Sequence, residues 1–303
     1  MIETHNSVNF ENTALEKAIK DDFGFEVKII NKVKERPSSN QVFKALIEGT
    51  TVFIIIEKDS ERSLGATVLG HKILVERGIP VPKVISYLEK PKSIGLETAI
   101  IDSADGVPMP EAHLPKEQKN KIYELLGEWL KKIHEIKLDG FGKLKIRNGK
   151  LQGKFASPKE YWESNKNNGH KAIDFLFDKE LITEEEAKKI RGVYSEIEAL
   201  EFGQASFLHR DLHQDHVFVK DGNISGIIDF ASSMAGDPRQ DIAMSLVFQN
   251  KEEREYFKKG YGELANDPMV QKYMMIIALH KILSRFKRKN EIDEKMLKLI
   301  KIF

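Results

Sequence analysis

Apolar residues recur at helical spacing most clearly between Lys116 and Ile136, where Ile122, Leu125, Leu126, Trp129, Leu130 and Ile133 form one stripe. This pattern predicts an amphipathic helix at the centre of a larger, mainly helical region. Ala14, Leu15, Ala18 and Ile19 predict a shorter helix over 13–23, and Leu64 to Arg77 a third, closed by Gly78 as its C-cap. Between those two the period shortens. Val27 to Val33, Val42 to Ile47 and Thr51 to Ile56 read as strands, with Gly49-Thr50 turning the last pair, and Leu96 to Ile101 adds another. Further on, Thr183 ahead of Glu184, Glu185 and Glu186 marks a helix start that runs to about Leu200. Helices are also expected over 252–265 and 269–303, with Met274, Ile277, Ala278 and Ile282 as a core stripe. Residues 143–170 are polar and read as a surface insertion carrying the packed pair Tyr161-Trp162. The fold class expected is α+β, with a small β-rich N-terminal lobe and a larger helical C-terminal one.

One stretch, Phe207 to Ala243, does not fit a packing account alone. Val217-Phe218-Val219 and Ile224 to Ile228 flank Asp221-Gly222-Asn223, the signal for a β-hairpin. His209-Arg210-Asp211 precedes it, His216 stands five positions after Asp211, and Asp229 follows Ile228 directly. A hairpin brings its outer ends together, so Asp211, His216 and Asp229 are expected to converge. Phosphoryl transfer needs a carboxylate to orient the attacking hydroxyl and take its proton, and ligands for the cations that neutralise the phosphates. Asp211 is the expected base; His216 and Asp229 are the expected metal ligands. The plainer alternative is a polar turn beside a hairpin with a capping aspartate.

Composition narrows the alternatives. A net charge of +1 over 303 residues gives no electrostatic case for nucleic acid or an anionic membrane as partner. The chain has no cysteine, which excludes disulfides, zinc-thiolate sites and thiol nucleophiles. No apolar run approaches the roughly 20 residues of a membrane span, and the N-terminal residues show no signal-peptide pattern. The expected location is the cytoplasm.

The ordered set His209-x-Asp211-x-His213, Ile228-Asp229-Phe230 and Gly236-Asp237-Pro238-Arg239-Gln240-Asp241 resembles the aminoglycoside phosphotransferase family, small-molecule kinases with a protein-kinase-like fold. Gly78-Ile79-Pro80-Val81-Pro82-Lys83-Val84 and Gly140-Phe141-Gly142 also match its passages. His216 replaces the usual Asn, as in aminoglycoside 2''-phosphotransferases and macrolide 2'-phosphotransferases. Arg210 replaces a small residue. The resemblance implies a bilobal kinase-like fold, with 1–101 as nucleotide-binding lobe, 102–106 as hinge and 107–303 as catalytic and substrate-binding lobe. It implies ATP or GTP as phosphate donor, Mg2+ as cofactor, and backbone groups near Asp102 and Ala104 reading the purine. The acceptor expected is a small-molecule hydroxyl, on an aminoglycoside or macrolide antibiotic or on a metabolite; a nucleotide-binding pseudokinase is the third reading. A monomer or weak dimer is expected.

The family places a basic residue on the third strand to hold phosphates. Strand alternation puts 54, 56 and 58 on one face, with Ile56 at the expected place, so Lys58 is the substitute and Lys44 a second candidate. No glycine-rich loop is visible where Pro37-Ser38-Ser39-Asn40 stands, and Glu61 lies too early to pair with such a lysine. The resemblance also implies that Asp241 supports the catalytic loop, that His134 is structural, and that 143–170 helps shape the acceptor site. A polycationic acceptor calls for acids, and Glu252, Glu253, Glu255, Glu263 and Asp267 are the available set. Lys281, Arg285, Lys287, Arg288 and Lys289 read as a solvated basic face.

Overall fold

The computed structural model describes residues 10–33, 40–58, 63–201 and 203–301, except for the side chains of 166–168. Pro37, Ser38, Ser39 and Glu61 lie outside the described residues. The chain divides into two units: residues 1–106 with 225–231, and residues 107–224 with 232–303.

In the first unit, helix α1 (Asn12–Phe23) precedes strands β1 (Val27–Lys32), β2 (Gln41–Ile47) and β3 (Thr50–Ile56), then helix α2 (Leu64–Glu76) and strands β4 (Val84–Leu88) and β5 (Thr98–Asp102). The strands form one sheet in the order β1-β2-β3-β5-β4. Strand alternation sorts its two faces. Val52, Ile54 and Ile56 join Phe43 and Ala45 in a core with Leu15 and Ile19 of α1. Ile55 packs on the other side with Leu64 and Val68 of α2. Ser63 starts α2 by accepting the Ala66 N–H, and two carboxylates serve the same helix end: Glu97 accepts from Gly65 N–H at 2.7 Å and Glu57 from Leu64 N–H at 3.4 Å. Negative charge there is favoured by the helix dipole.

Residues 225–231 belong with this unit, although their place in the chain suggested the C-terminal part. Three ties account for it. The Ile227 N–H donates to Pro80 C=O, the Ser225 hydroxyl donates to Asp105 C=O, and the Phe230 ring meets His71 edge-on at 5.2 Å.

The second unit starts with β6 (Val107–Pro108), α3 (Lys116–His134), β7 (Lys137–Leu138), β8 (Phe141–Arg147), β9 (Lys150–Phe155), α4 (Pro158–Asp178) and α5 (Glu184–Glu198). Then come β10 (Ala205–Leu208), β11 (Val217–Lys220), β12 (Asn223–Ile227, of which 225–227 belong to the first unit), β13 (Met234–Gly236), α6 (Pro238–Phe248), α7 (Lys251–Tyr261), α8 (Pro268–Lys289) and α9 (Glu294–Lys301). Strands pair in the orders β7-β10-β13-β8-β9 and β12-β11-β6. The hairpin read from Asp221-Gly222 is present, with both turn residues at positive φ. The expectation of a surface insertion over 143–170 is corrected: the segment is the β8–β9 hairpin followed by α4. Gly140, at φ 70°, starts that hairpin where a Cβ would lie 2.7 Å from Phe155 O, so only glycine fits.

Two expected helices are each shorter than their apolar pattern. The first stops at Tyr261, before Gly262, and the last breaks at Asn290, whose φ of 56° caps α8 in the left-handed region. Helices α3 and α7 meet through glycine: a Cβ on Gly260 would stand 1.9 Å from Glu124 O, and one on Gly127 2.2 Å from Phe257 O. We expect Gly260→Ala to lower unfolding free energy by about 1–3 kcal/mol through forced separation of these helices. Urea denaturation checks this; an unchanged midpoint would show that the contact yields at no cost.

Candidate active site

Strand β10 is wholly buried and paired on both sides, by β7 and β13, and it delivers His209, Arg210 and Asp211 from its C-terminal end. The loop is fixed from below by Asp241, fully buried on α6. Its carboxylate accepts the His209 N–H at 2.6 Å and the Arg210 N–H at 2.7 Å, and the His134 Nε2 at 3.1 Å. His134 Nδ1 lies 2.7 Å from the Tyr261 hydroxyl. Burial alone raises the Asp241 carboxyl, but hydrogen bonding and charge from His134, with His209 and the Arg210 N–H, outweigh it and hold the group below the usual carboxylate range. Ser245 donates to Leu212 C=O at 3.0 Å and ties down the next residue but one. Arg210 has φ 70°, a conformation that costs a non-glycine residue about 1–2 kcal/mol.

Asp211, His213 and His216 have ligand atoms all within 4.8 Å of one another. Their hydrogen bonds give the two histidines different duties. His213 caps the following 3₁₀ turn: its Nδ1 accepts the Asp215 N–H at 3.3 Å. Burial, then the neighbouring His216, lowers its pKa and favours the neutral ring that this acceptor role requires. His216 Nδ1–H donates to Asp211 C=O at 2.8 Å, which selects the tautomer whose acceptor nitrogen is Nε2. Asp229 has an exposed side chain in the first unit, two residues past β12, at φ 64°.

Lys281 on α8 was not legible as a site residue. Its Nζ stands 3.3 Å from Asp211 Oδ1, across 70 positions of sequence, and 5.0 Å over the Phe248 ring. Burial pushes the Asp211 carboxyl up; Lys281, then His216 and His213, outweigh burial and keep it below its ordinary value. The group is therefore ionised at neutral pH, as a base must be. Replacing Lys281 by Met removes the main opposing charge, so the acidic limb of the pH–rate profile should move to higher pH; an unmoved limb would show that Lys281 does not set it.

Lys281 also lines a cavity of about 710 Å³ within the second unit, with Arg210, Tyr161 and Trp162 of α4, Tyr273, and His280. Burial, then Arg210, lowers the His280 pKa to about 4, so its ring is neutral here. The basic face is thus not simply solvated. The acids offered as an acceptor pocket are elsewhere. Glu252 pairs with Lys116, and Glu253 pairs with Lys119 and accepts the Asn250 N–H in the capping box that starts α7. Glu255 is exposed, Glu263 borders a separate cavity, and Asp267 caps α8 and holds Arg239. Asp237 caps α6 and accepts the Tyr273 hydroxyl.

In the first unit, Lys58 follows the end of β3, with its N–H 3.5 Å from Asn40 Oδ1. The face shared by Ile54 and Ile56 is core against α1, so it does not present a phosphate-holding side chain. Lys44 lies directly opposite Phe53 and shares the α2 side with Ile55. Asp102 ends β5 and accepts the Ser103 N–H; the Ser103 hydroxyl donates to Ala104 C=O.

A kinase-like α+β fold with an HRD-type loop on a buried strand defines a phosphotransferase that uses an alcohol as acceptor. Residues 38–272 match the Phosphotransferase enzyme family, and the chain belongs to it. It is similar to an aminoglycoside 3'-phosphotransferase of Enterococcus faecalis, 24% identical over 265 residues, covering 83% of this chain and 92% of the relative. Its fold matches a ternary complex of a thermostable mutant of aminoglycoside phosphotransferase APH(4)-Ia with AMP-PNP and hygromycin B, at TM-score 0.67 and 16% identity, covering 96% and 97% of the two chains. A putative fructosamine-3-kinase from Thermobifida fusca matches at TM-score 0.64 and 17% identity, covering 96% and 97%.

Proposed function

We propose that the protein moves the γ-phosphoryl group of ATP to a hydroxyl of a small molecule, with Asp211 as the base. The observation that carries this is the loop itself: an ionised carboxylate, fixed by the Asp241 hydrogen bonds behind it and the Lys281 cation beside it. The acceptor oxygen attacks γ-phosphorus as Asp211 takes its proton, and the bond to the β,γ-bridging oxygen breaks with ADP as leaving group. ATP rather than GTP is favoured by the solved relative that holds AMP-PNP. Magnesium, when bound, neutralises phosphate charge. Asp229 offers the oxygen donor that this ion prefers, and His216 Nε2 suits a water in the ion's shell better than the ion itself. Lys44 is the better candidate for a phosphate contact in the first unit, because it is on the α2 side of the sheet; Asp102 and Ala104 are proposed to read the purine through their backbone.

An aminoglycoside acceptor is suggested by the names of relatives. A metabolite acceptor is favoured by one observation in this chain, the absence of carboxylates from the described lining of the cavity beside Lys281. An ADP-release assay with ATP, magnesium and a panel of acceptors tests the proposal: acceptor-stimulated turnover is expected. Nucleotide binding without transfer to any acceptor would support the pseudokinase instead. For His216→Ala, activity should need several-fold more magnesium; an unchanged titration would remove it from the ion's surroundings.

A further inference from the structure

The cavity beside Lys281 has a one-sided charge. Among its described lining residues the charged side chains are Lys171, Arg210, Lys281, Lys287 and Arg288, and none is Asp or Glu. Lys281 is partnered by Asp211. No described carboxylate forms an ion pair with the side chain of Lys171, Arg210, Lys287 or Arg288. The cations are also ordered in depth. Lys281 and Arg210 are half-buried next to Asp211, while Lys171, Lys287 and Arg288 are exposed. A neutral His280 and the rings of Tyr161 and Tyr273 also line the cavity. A net charge of +1 for the whole chain makes this local excess a feature of the site rather than of composition.

Like charges in a concave, partly desolvated site repel a cationic ligand and concentrate an anionic one. Guanidinium and ammonium groups pair well with phosphate and carboxylate oxygens. We infer that the acceptor is an anionic alcohol: a sugar- or polyol-sized molecule that offers a hydroxyl to Asp211 and carries a phosphate or carboxylate held by Arg210, Lys287 and Arg288. This rests on the kinase reading above and specifies the substrate class of that site. It sets the chain apart from relatives named for polycationic antibiotics.

The test uses the full chain with ATP and magnesium against three sets of acceptors: sugar phosphates, sugar acids, and their uncharged parent sugars, with aminoglycosides as a fourth arm. At least one anionic acceptor should be phosphorylated with kcat/KM about 100-fold above its uncharged parent, and raised salt should reduce that ratio. Comparison of the phosphate and carboxylate arms identifies which anion the site takes. Lys287→Ser and Arg288→Ser are exposed changes that leave folding intact; each should raise KM for the anionic acceptor about tenfold with kcat little changed. Phosphorylation of aminoglycosides or uncharged sugars, with anionic acceptors no better, would overturn the anionic class and leave the kinase intact. Failure of every acceptor, with ATP still bound, would overturn the kinase reading itself.

Discussion

Asp211→Asn should reduce phosphoryl transfer by roughly 10²–10⁴-fold, the range for loss of a general base. The side chain keeps its shape and loses only the charge and the basic oxygen. Its backbone partners, the His209 Nδ1 acceptor and the His216 Nδ1–H donor, engage its N–H and C=O and do not depend on the carboxylate. The melting temperature should therefore change little. Lys281 loses its anionic partner, but it is partly exposed and can turn toward solvent. Nucleotide affinity should also persist. A variant that turns over at near wild-type rate would remove Asp211 from the base role. A variant that unfolds would mean that the Asp211–Lys281 pair is structural.

Asp241→Ala should cost about 3–5 kcal/mol of unfolding free energy, because it leaves the His209 and Arg210 N–H groups and His134 Nε2 without their buried acceptor. Activity should fall with stability, since the same carboxylate holds the loop that carries Asp211. The pH dependence has a definite sign. The folded pKa of Asp241 is depressed, so its contribution is fully present above the ordinary carboxylate pKa and is lost as pH falls through the lowered value. Urea titration at neutral pH and at a pH below the ordinary carboxylate value checks both points: the gap between wild type and variant should persist down to that value and narrow only below it. A variant as stable as wild type at neutral pH would show that water or another group replaces the carboxylate.

Much of the site could be read before the structure because its parts are local. His209 to His216 is one loop, Asp221-Gly222 a two-residue turn, and Asp237-Pro238 a helix start; each has a short-range signature. The helix α3 was legible for a similar reason: a single stripe supplies Ile122, Leu126, Leu130 and Ile133 to the core. What was missed is of two kinds. The β8–β9 hairpin had a signal that lysines and polar residues obscured: Asn148-Gly149, at φ 51° and 73°, is the turn pair that suits twisted strands. The Ser157-Pro158 start of α4, with Ser157 accepting the Glu160 N–H, was similarly present in the sequence.

The other kind had no local signal. Lys281 reaches Asp211 from a helix 70 positions away, and nothing in its neighbours separates it from Lys287 or Lys289. The same holds for charge in the cavity. Acids that alternate with lysines on α7 looked available for a cationic ligand, but tertiary packing spends them on Lys116 and Lys119 and on the start of their own helix. On β3 the alternation is as the sequence reads, with Val52, Ile54 and Ile56 on the α1 side and Ile55 on the α2 side; which face meets which helix has no local signal.

Whether Asp211 drives transfer of phosphate from nucleotide to a small alcohol is decided by the fate of the γ-phosphoryl group. The most direct measurement supplies γ-labelled ATP, magnesium and the acceptor panel to wild type and to Asp211→Asn, and follows where the label goes. Label on an acceptor hydroxyl is expected with the wild-type protein and almost none with the variant. Label that stays on the nucleotide, or reaches only inorganic phosphate at equal rates in both proteins, would contradict it.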